Sequence, residues 1–344
     1  MNNILKNKIK TLFPILNWIK IIKVINLVKY LFYQIINFLM LPITLFSTIW
    51  LKCVNMMGIK FINNEIFMKV GLFPLNDHYY NPLINPKKNL KKSLRKDRNL
   101  KGINFNIDEQ LDLLGKFNFR DKLLQFPINQ INENEFYYNN GGFESGDSEY
   151  LYSIIRYFKP KKIIEIGCGN STLMIRNAII SNKSEDLSHD CEHICIEPFE
   201  QPWLENLELT VIREKVEDLE ISFFNQLEAN DILFIDSSHI IRPQGDILFE
   251  YLEILPNLKP GVLIHIHDIF TPKDYLDDWI FKEHLFWNEQ YLVEAFLSFN
   301  TDFKIIGALN FLYHNYNNLL SEKFPILAMQ KNREPGSLWL VRDK

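Results

Sequence analysis

The sequence predicts an α/β protein: a doubly wound, mainly parallel sheet of seven strands with an antiparallel last strand, preceded by a helical N-terminal region. Three observations carry this. Seven short apolar runs recur between residue 162 and the C-terminus, segments of helical periodicity separate most of them, and glycines and ionisable groups gather where the runs end. In open parallel sheets, ligands bind beyond the carboxyl ends of the strands.

The strands are expected at 162–166, 193–196, 210–213, 232–235, 262–266, 303–308 and 337–341. Helices are expected at 148–158, 171–180, 243–255 and 288–299. The 344 residues are 47% apolar, enough for a large core. The composition divides the chain into 1–60, helical; 61–130, basic and rich in loops; and 131–344, the sheet domain.

The net charge of −4 argues against nucleic acid as a partner of the whole chain. That average hides an asymmetry: the first 60 residues hold eight Lys and no acid, and the first carboxylate is Glu65. Residues 30–51 are 22 without a charge, long enough to span a bilayer core. Residues 11–28 are apolar with Lys20 and Lys23 interspersed, as in a basic helix lying on a membrane surface. Three arrangements fit: a single span, a helical hairpin broken near Pro42, or in-plane binding. The last two keep both ends on the cytoplasmic side, where six Lys before Tyr30 favour the N-terminus. Packing of this region on the domain or on a second copy is the non-membrane reading. The four cysteines show no paired framework, which suits a reducing compartment. The segment CEHIC, 191–195, has ligand types for zinc, but alternation along a strand is the simpler account.

The strand ends carry the chemistry. After the first strand, IGCGNSTL places Gly167 and Gly169 in a tight turn, and Asn170, Ser171 and Thr172 can cap the next helix. A dinucleotide loop would have glycine where Thr172 stands. Glu165, two residues before the first glycine, suits an amine-bearing ligand better than a pyrophosphate. Glu197 ends the second strand, where a carboxylate can accept both hydroxyls of a ribose. Glu217 follows the third, with Val216 and Asp218, near an adenine edge. Asp236 ends the fourth strand and His239 follows; His267 and Asp268 end the fifth. Two carboxylates and an imidazole at adjacent strand ends suit Mg²⁺ or Mn²⁺, and a further His can move a proton. His265 alternates inward and reads as a satisfied core histidine.

These residues resemble the class I S-adenosylmethionine-dependent methyltransferases, from about residue 135 to the C-terminus. EIGCGNST is similar to their first motif and Glu197 to the acid of their second. FIDSSHIIRPQGDILFEYLEILPNLKPGVLIHIHD is similar to a pattern of metal-dependent sugar O-methyltransferases, the macrocin and mycinamicin branch. The resemblance implies a Rossmann-like fold and S-adenosylmethionine as cofactor, held by Glu165, Gly167, Gly169, Asn170, Ser171, Thr172, Glu197, Glu217 and Asp236. It implies His239 as the base and Asp236, His267 and Asp268 around Mg²⁺ or Mn²⁺, with His267 standing where relatives have an acid. Val262 replaces a glycine of the pattern. By analogy, Tyr138 and residues 145–148 would fold over the cofactor. Phe270, Tyr275, Trp279, Phe286 and Trp287 could wall an acceptor pocket. The expected partners are a small-molecule or saccharide acceptor and a membrane surface through residues 1–60, with a homo-oligomer also open. Two other classes fit part of the pattern: a metal-dependent hydrolase, and a membrane scaffold with an inactive methyltransferase fold.

Overall fold

The computed structural model describes residues 2–57, 61–132, 134–199, 201–330 and 332–344, with the side chains of 2–23, 55, 57, 61, 62 and 64 left aside. The chain divides into two compact units, 1–85 and 86–344.

The first unit is mainly two helices, Asn2–Met57 and Phe61–Val70. The first runs unbroken through Pro42, so the hairpin expected near that residue does not form. Proline at such a position removes one helical hydrogen bond without ending the helix. Its stretch Val24–Val54 is long and apolar enough to cross a membrane by length and composition. At ~1.5 Å per residue those 31 residues extend ~46 Å, against a hydrocarbon core of ~30 Å. Residues 24–50 are all exposed within the unit. Val54 and Phe67 are buried, and Trp50 meets Phe67 edge to face with centroids 6.2 Å apart. The surface-lying helix expected at 11–28 falls mostly on side chains outside those described, as do Met1 and residues 58–60 of the expected 1–60 region.

The second unit begins earlier than the composition suggests. Residues 86–130 belong to the sheet domain, not to a separate connecting region. Leu113, Leu114, Phe117 and Leu123 enter its core. Arg98 of this basic segment pairs with Glu294 and donates to the carbonyls of Pro272 and Lys273. Arg95 pairs with Glu334. These partners lie more than 170 residues away along the chain, beyond the reach of any local pattern.

The sheet has the order β3-β2-β1-β4-β5-β7-β6. Its strands are β1 (Lys162–Ile166), β2 (Glu192–Ile196), β3 (Thr210–Ile212), β4 (Ile232–Ile235), β5 (Leu263–Ile266), β6 (Phe303–Ala308) and β7 (Leu338–Arg342). β1 to β5 are mutually parallel, and β7 runs antiparallel between β5 and β6. The expected doubly wound, Rossmann-like sheet is therefore present, with ends shifted by at most a residue. The central strands are buried on both faces, which explains their apolar runs.

Helices cover both faces. Ile163, Phe234 and Trp339 pack with the helices Asp147–Phe158 and Asn170–Glu185 and with the segment 309–327. Ile164, Ile196, Leu233, Ile266 and Leu340 pack on the opposite layer, which holds residues 246–257 and the helix Glu289–Leu297. Residues 246–257 form one helical rod interrupted by a π turn at Glu250–Ile254. The buried carboxylate of Asp147 accepts from Gly336 N at 3.0 Å and Ser337 N at 2.8 Å, and pairs with Arg333. It thereby ties the start of a helix to the turn before β7, which borders the rim described next.

Candidate active site at the carboxyl edge of the sheet

Backbone pairing continues past the ends of the strands. Gly167 N donates to Ile196 O at 3.1 Å, Asp236 N to Ile166 O at 2.9 Å, His267 N to Ile235 O at 2.9 Å and Glu197 N to Ile212 O at 3.0 Å. These bonds set Gly167, Glu197, Asp236 and His267 in one row along the carboxyl edge. Two clefts open on this row and share Asp236, Ser237 and Ser238.

The first cleft, about 340 Å³, is lined by Gly167, Glu197, Phe199, Lys215, Glu217, Arg242 and Asp246 among others. Gly167 has φ +76°. A Cβ there would sit 1.8 Å from the carbonyl oxygen of Asp236, so any side chain would force the turn off the neighbouring strand end. The Glu197 carboxylate accepts from Cys168 N at 3.2 Å and from Phe199 N at 3.1 Å. Both bonds fix it between the glycine turn and the lip of the cleft. Phe199 is 77% exposed there, an aromatic face that sequence reading missed.

The second cleft, about 370 Å³, is lined by Gly142, Phe143, Gly169, Asn170, Ser171, His239, His267, Asp268 and Trp287 besides the shared residues. Asp236 thus belongs to both clefts. His239 Nδ1 lies 2.7 Å from Glu289 Oε2, and Tyr251 donates to the other Glu289 oxygen at 2.8 Å. His239 Nε2 faces Asp236 at 3.3 Å and Asp268 at 3.7 Å. Trp287 packs on the imidazole, centroids 4.4 Å apart. Both His239 and Asp268 take left-handed backbone conformations, φ 58° and 57°, each costing ~1–3 kcal/mol for such residues. Asn288 N and Glu289 N hold the first by donating to His239 O; Gly336 O holds the turn after the second by accepting from Ile269 N.

The charges are coupled. Burial opposes a proton on His239, but Asp236, Glu289 and Asp268 outweigh it and hold its pKa well above the usual histidine range. Burial likewise opposes the charge on Asp236, and His267 and His239 overcome it to depress that carboxyl. Burial pushes Asp268 up, against the pull of His267 and His239. Asp236, His267 and Asp268 offer three ligand atoms within 4.8 Å of one another. His267 Nδ1 is buried without a hydrogen-bond partner. Carboxylate oxygens and an imidazole nitrogen are suitable donors for Mg²⁺ or Mn²⁺ with water completing the shell.

The structure redistributes several expected roles. Glu165 reaches neither cleft: its carboxylate is fully buried, accepts from Ser171 Oγ at 2.6 Å and meets His193 Nε2 at 2.9 Å. Thr172 is buried and accepts from Gly169 N, holding the turn from behind. Ser171 lines the second cleft but spends its hydroxyl on Glu165. Tyr138 lies in the core with its hydroxyl on Leu123 O, and Ser145 is buried against Gln330. Gly142 and Phe143 stand at the cleft instead. Of the five aromatic residues expected to wall an acceptor, Trp287 lines the second cleft; Phe270 and Tyr275 are buried core, and Trp279 and Phe286 pack against them. His265 is a core residue but not a satisfied one. Both its ring nitrogens lack partners, the ring stacks on Phe234 at 3.9 Å, and burial drives its pKa well down, keeping it neutral.

Sequence reading also missed Glu289, Asp246 and Glu250. Asp246 accepts from Ser238 N and Oγ at 2.9 and 2.7 Å, and Glu250 from Ser237 Oγ at 3.1 Å. Their only signal was an unexplained acid on an apolar helix face.

An α/β sheet with a glycine turn, a strand-end acid and this polar rim at its carboxyl edge is the architecture expected of a nucleoside-cofactor site. Residues 164–269 match the methyltransferase-domain family. An uncharacterized protein of Archaeoglobus fulgidus is 31% identical over 189 residues, covering 51% of this chain and 82% of that protein. The chain belongs to the family of that relative, and the methyltransferase-domain match over 164–269 supports a class I methyltransferase with S-adenosylmethionine as cofactor. Among solved structures, the MycE methyltransferase from the mycinamycin biosynthetic pathway, in complex with Mg and SAH, is similar at 13% identity with a TM-score of 0.29. That likeness covers 58% of this chain and 50% of that one, so the chain spans about half its length.

Gly167→Ala is expected to abolish measurable S-adenosylhomocysteine binding in calorimetry, because the added methyl collides with the Asp236 carbonyl. Wild-type affinity in a folded variant would remove the glycine turn from the cofactor site.

Proposed function

We propose that this protein transfers a methyl group from S-adenosylmethionine to a hydroxyl oxygen, with a divalent cation at the rim and His239 as the base. The observation that carries it is the setting of His239: one ring nitrogen is held by Glu289, and the other faces Asp236 and Asp268 beside the glycine turn.

Bound S-adenosylmethionine supplies an electrophilic sulfonium methyl. Glu197 would hold the ribose hydroxyls, Gly167 and Gly169 would admit the cofactor to the backbone, and Glu217 and Phe199 would flank the base. The lines of support are the cleft shared by Gly167, Glu197, Phe199 and Glu217, the place of Gly169 at the adjoining cleft, and the carboxylate's anchoring by two backbone N–H groups. Asp236, His267 and Asp268 would hold Mg²⁺ or Mn²⁺, which supplies Lewis acidity that lowers the pKa of a coordinated hydroxyl. His239 Nε2 takes the acceptor's proton, and Glu289 stabilises the imidazolium and fixes the ring. Three carboxylates bias His239 toward its charged form, which makes it a poor base by itself. A cation held by Asp236 and Asp268 offsets two of those charges, so the base and the cation belong to one reading.

The acceptor is proposed to be a saccharide, in a lipid-linked or cell-surface precursor. The support is the sugar-methylating sequence pattern together with the long exposed apolar helix at 24–54. That helix would hold the chain to the cytoplasmic face of a membrane, where S-adenosylmethionine is available; as one unbroken helix it would lie in the membrane plane, since a span with a cytoplasmic N-terminus would carry the domain outside.

The deciding experiment is calorimetric titration of the full-length chain in detergent with S-adenosylhomocysteine. Binding is expected, weakened at least about tenfold in Glu197→Ala, since each hydrogen bond to a charged group is worth ~1.5–3 kcal/mol. No binding to folded protein would leave the inactive-scaffold reading in its place.

Once an acceptor is found, Glu289→Gln is expected to lower kcat about 10²–10⁴-fold, as loss of an orienting carboxylate does. Cofactor affinity should be unchanged. The acid limb of the pH–rate profile should move to lower pH, because Glu289 helps hold the His239 proton. An unchanged kcat would remove His239 as the base. In cells, isotopic methyl label is expected in the glycan of the membrane fraction, and deletion of residues 1–60 should move the protein to the soluble fraction. Label confined to soluble metabolites would refute the saccharide acceptor, and a deletion variant still in the membrane fraction would refute the anchor.

A further inference from the structure

A second cluster, unused by the proposed reaction, lies beneath the glycine turn. Register sets Glu165 of β1 opposite Cys195 of β2. His193, two residues earlier on β2, projects to the same face, as strand alternation requires. The alternation expected for CEHIC is thus what brings its donor atoms together. His193 Nε2 lies 2.9 Å from Glu165 Oε2, and Cys195 Sγ lies 3.6 Å from each of those atoms. Cys168 reaches the same place from the turn above: donor atoms of Glu165, Cys168 and Cys195 all fall within 4.8 Å of one another. Glu165 and Cys195 are fully buried, and His193 is 5% exposed.

Two thiols, an imidazole and a carboxylate are a zinc-type donor set. With Zn–S ~2.3 Å and Zn–N or Zn–O ~2.0 Å, a tetrahedral site has sulfur–nitrogen and sulfur–oxygen edges of about 3.5 Å and a nitrogen–oxygen edge of about 3.3 Å. The two 3.6 Å separations from Cys195 Sγ fall close to these edges, and the 2.9 Å between His193 and Glu165 is a hydrogen-bond distance that loading would widen. The competing account is an ion pair of His193 with Glu165, supported by Ser171 Oγ at 2.6 Å. That account satisfies Glu165 and His193. It leaves Cys168 with only its sulfur neighbour and a 3.9 Å contact to the Glu165 carbonyl. Nor does it explain why two thiols converge on a buried carboxylate.

We propose that Glu165, Cys168, His193 and Cys195 form a buried tetrahedral site for a thiophilic divalent cation of the zinc type, which clamps the glycine turn to β2. Loading would expel the imidazolium proton of His193 and whatever protons the two sulfurs carry to solvent, so binding is coupled to proton release. The site is distinct from Asp236, His267 and Asp268, which offer no sulfur and suit hard cations. It does not depend on the identity of the reaction.

Co²⁺ serves as the probe, added to the full-length chain after chelation under reducing conditions. One equivalent is expected to bind with a thiolate-to-cobalt charge-transfer absorption and tetrahedral d–d bands, and Zn²⁺ should bleach both. The bands should persist in Asp236→Asn/Asp268→Asn and vanish in Cys195→Ser. Cys168 is half-buried in a loop, so Cys168→Ser should keep the fold, checked by circular dichroism, with reduced charge-transfer intensity. Absence of a charge-transfer band in the wild-type chain, or a band unchanged in folded Cys168→Ser, would overturn the proposal in favour of the ion pair.

Discussion

The backbone ladder past the strand ends is the constraint on which the site depends. Parallel strands place their carboxyl ends side by side, and the N–H groups of Gly167, Asp236 and His267 extend the pairing one residue beyond each strand. No side chain chooses this row. It follows from register, and register follows from burying both faces of IIEI, ILFI and LIHI. Once the row exists, the residue types at its positions decide the chemistry. Asp236 is the hinge of this arrangement. Its carbonyl oxygen closes on Gly167, its carboxylate faces His239, and it borders both clefts.

The rim stores its polarity at a cost that the surrounding elements offset. Five carboxylates and two histidines gather at this rim, most of them shielded from water. Buried charge is tolerated only when paired. Glu289 is paired by His239 and Tyr251 and Asp246 by Ser238, while Glu250 accepts from Ser237 through one oxygen only and burial pushes its pKa well up toward the neutral acid. The balance is left incomplete at Asp236, His267 and Asp268, where two acids and an imidazole converge, His267 Nε2 lies 3.5 Å from Asp268, and His267 Nδ1 has no partner. That residual imbalance is what a cation would neutralise. The left-handed backbone at His239 and Asp268 adds strain at the same two loops, consistent with geometry set by function rather than by local stability.

One register row shows how the sheet separates structural from chemical polarity. Cys195, Glu165, Phe234, His265 and Trp339 are successive partners across five strands. At the β4–β5–β7 end the row is stacked rings: His265 lies flat on Phe234 and edge-on to Trp339, and is kept neutral by burial. At the β1–β2 end it is ionic. Burial would strip the His193 proton, but Cys195 and Glu165 beside it hold its pKa at about 10.

The sheet was legible from the chain because its strands are buried on both faces, so each appears as a near-continuous apolar run bounded by glycine or a charge. Glu197, Asp236, His239, His267 and Asp268 were legible for the same reason: an ionisable group ending such a run marks a strand end. Glu289 was not, because its partner His239 is 50 residues away and a lone acid at a helix start reads as a cap. Nor was the inward turn of Glu165, since strand alternation gives two faces but not which one meets a histidine. Nor were the partners of Arg95 and Arg98, which are carboxylates from the far end of the chain. Local pattern determined the elements, their order and the residue types at their ends. Which of those residues touch was decided by the tertiary structure, because contacts between distant segments depend on strand order and helix placement, and no local periodicity encodes those.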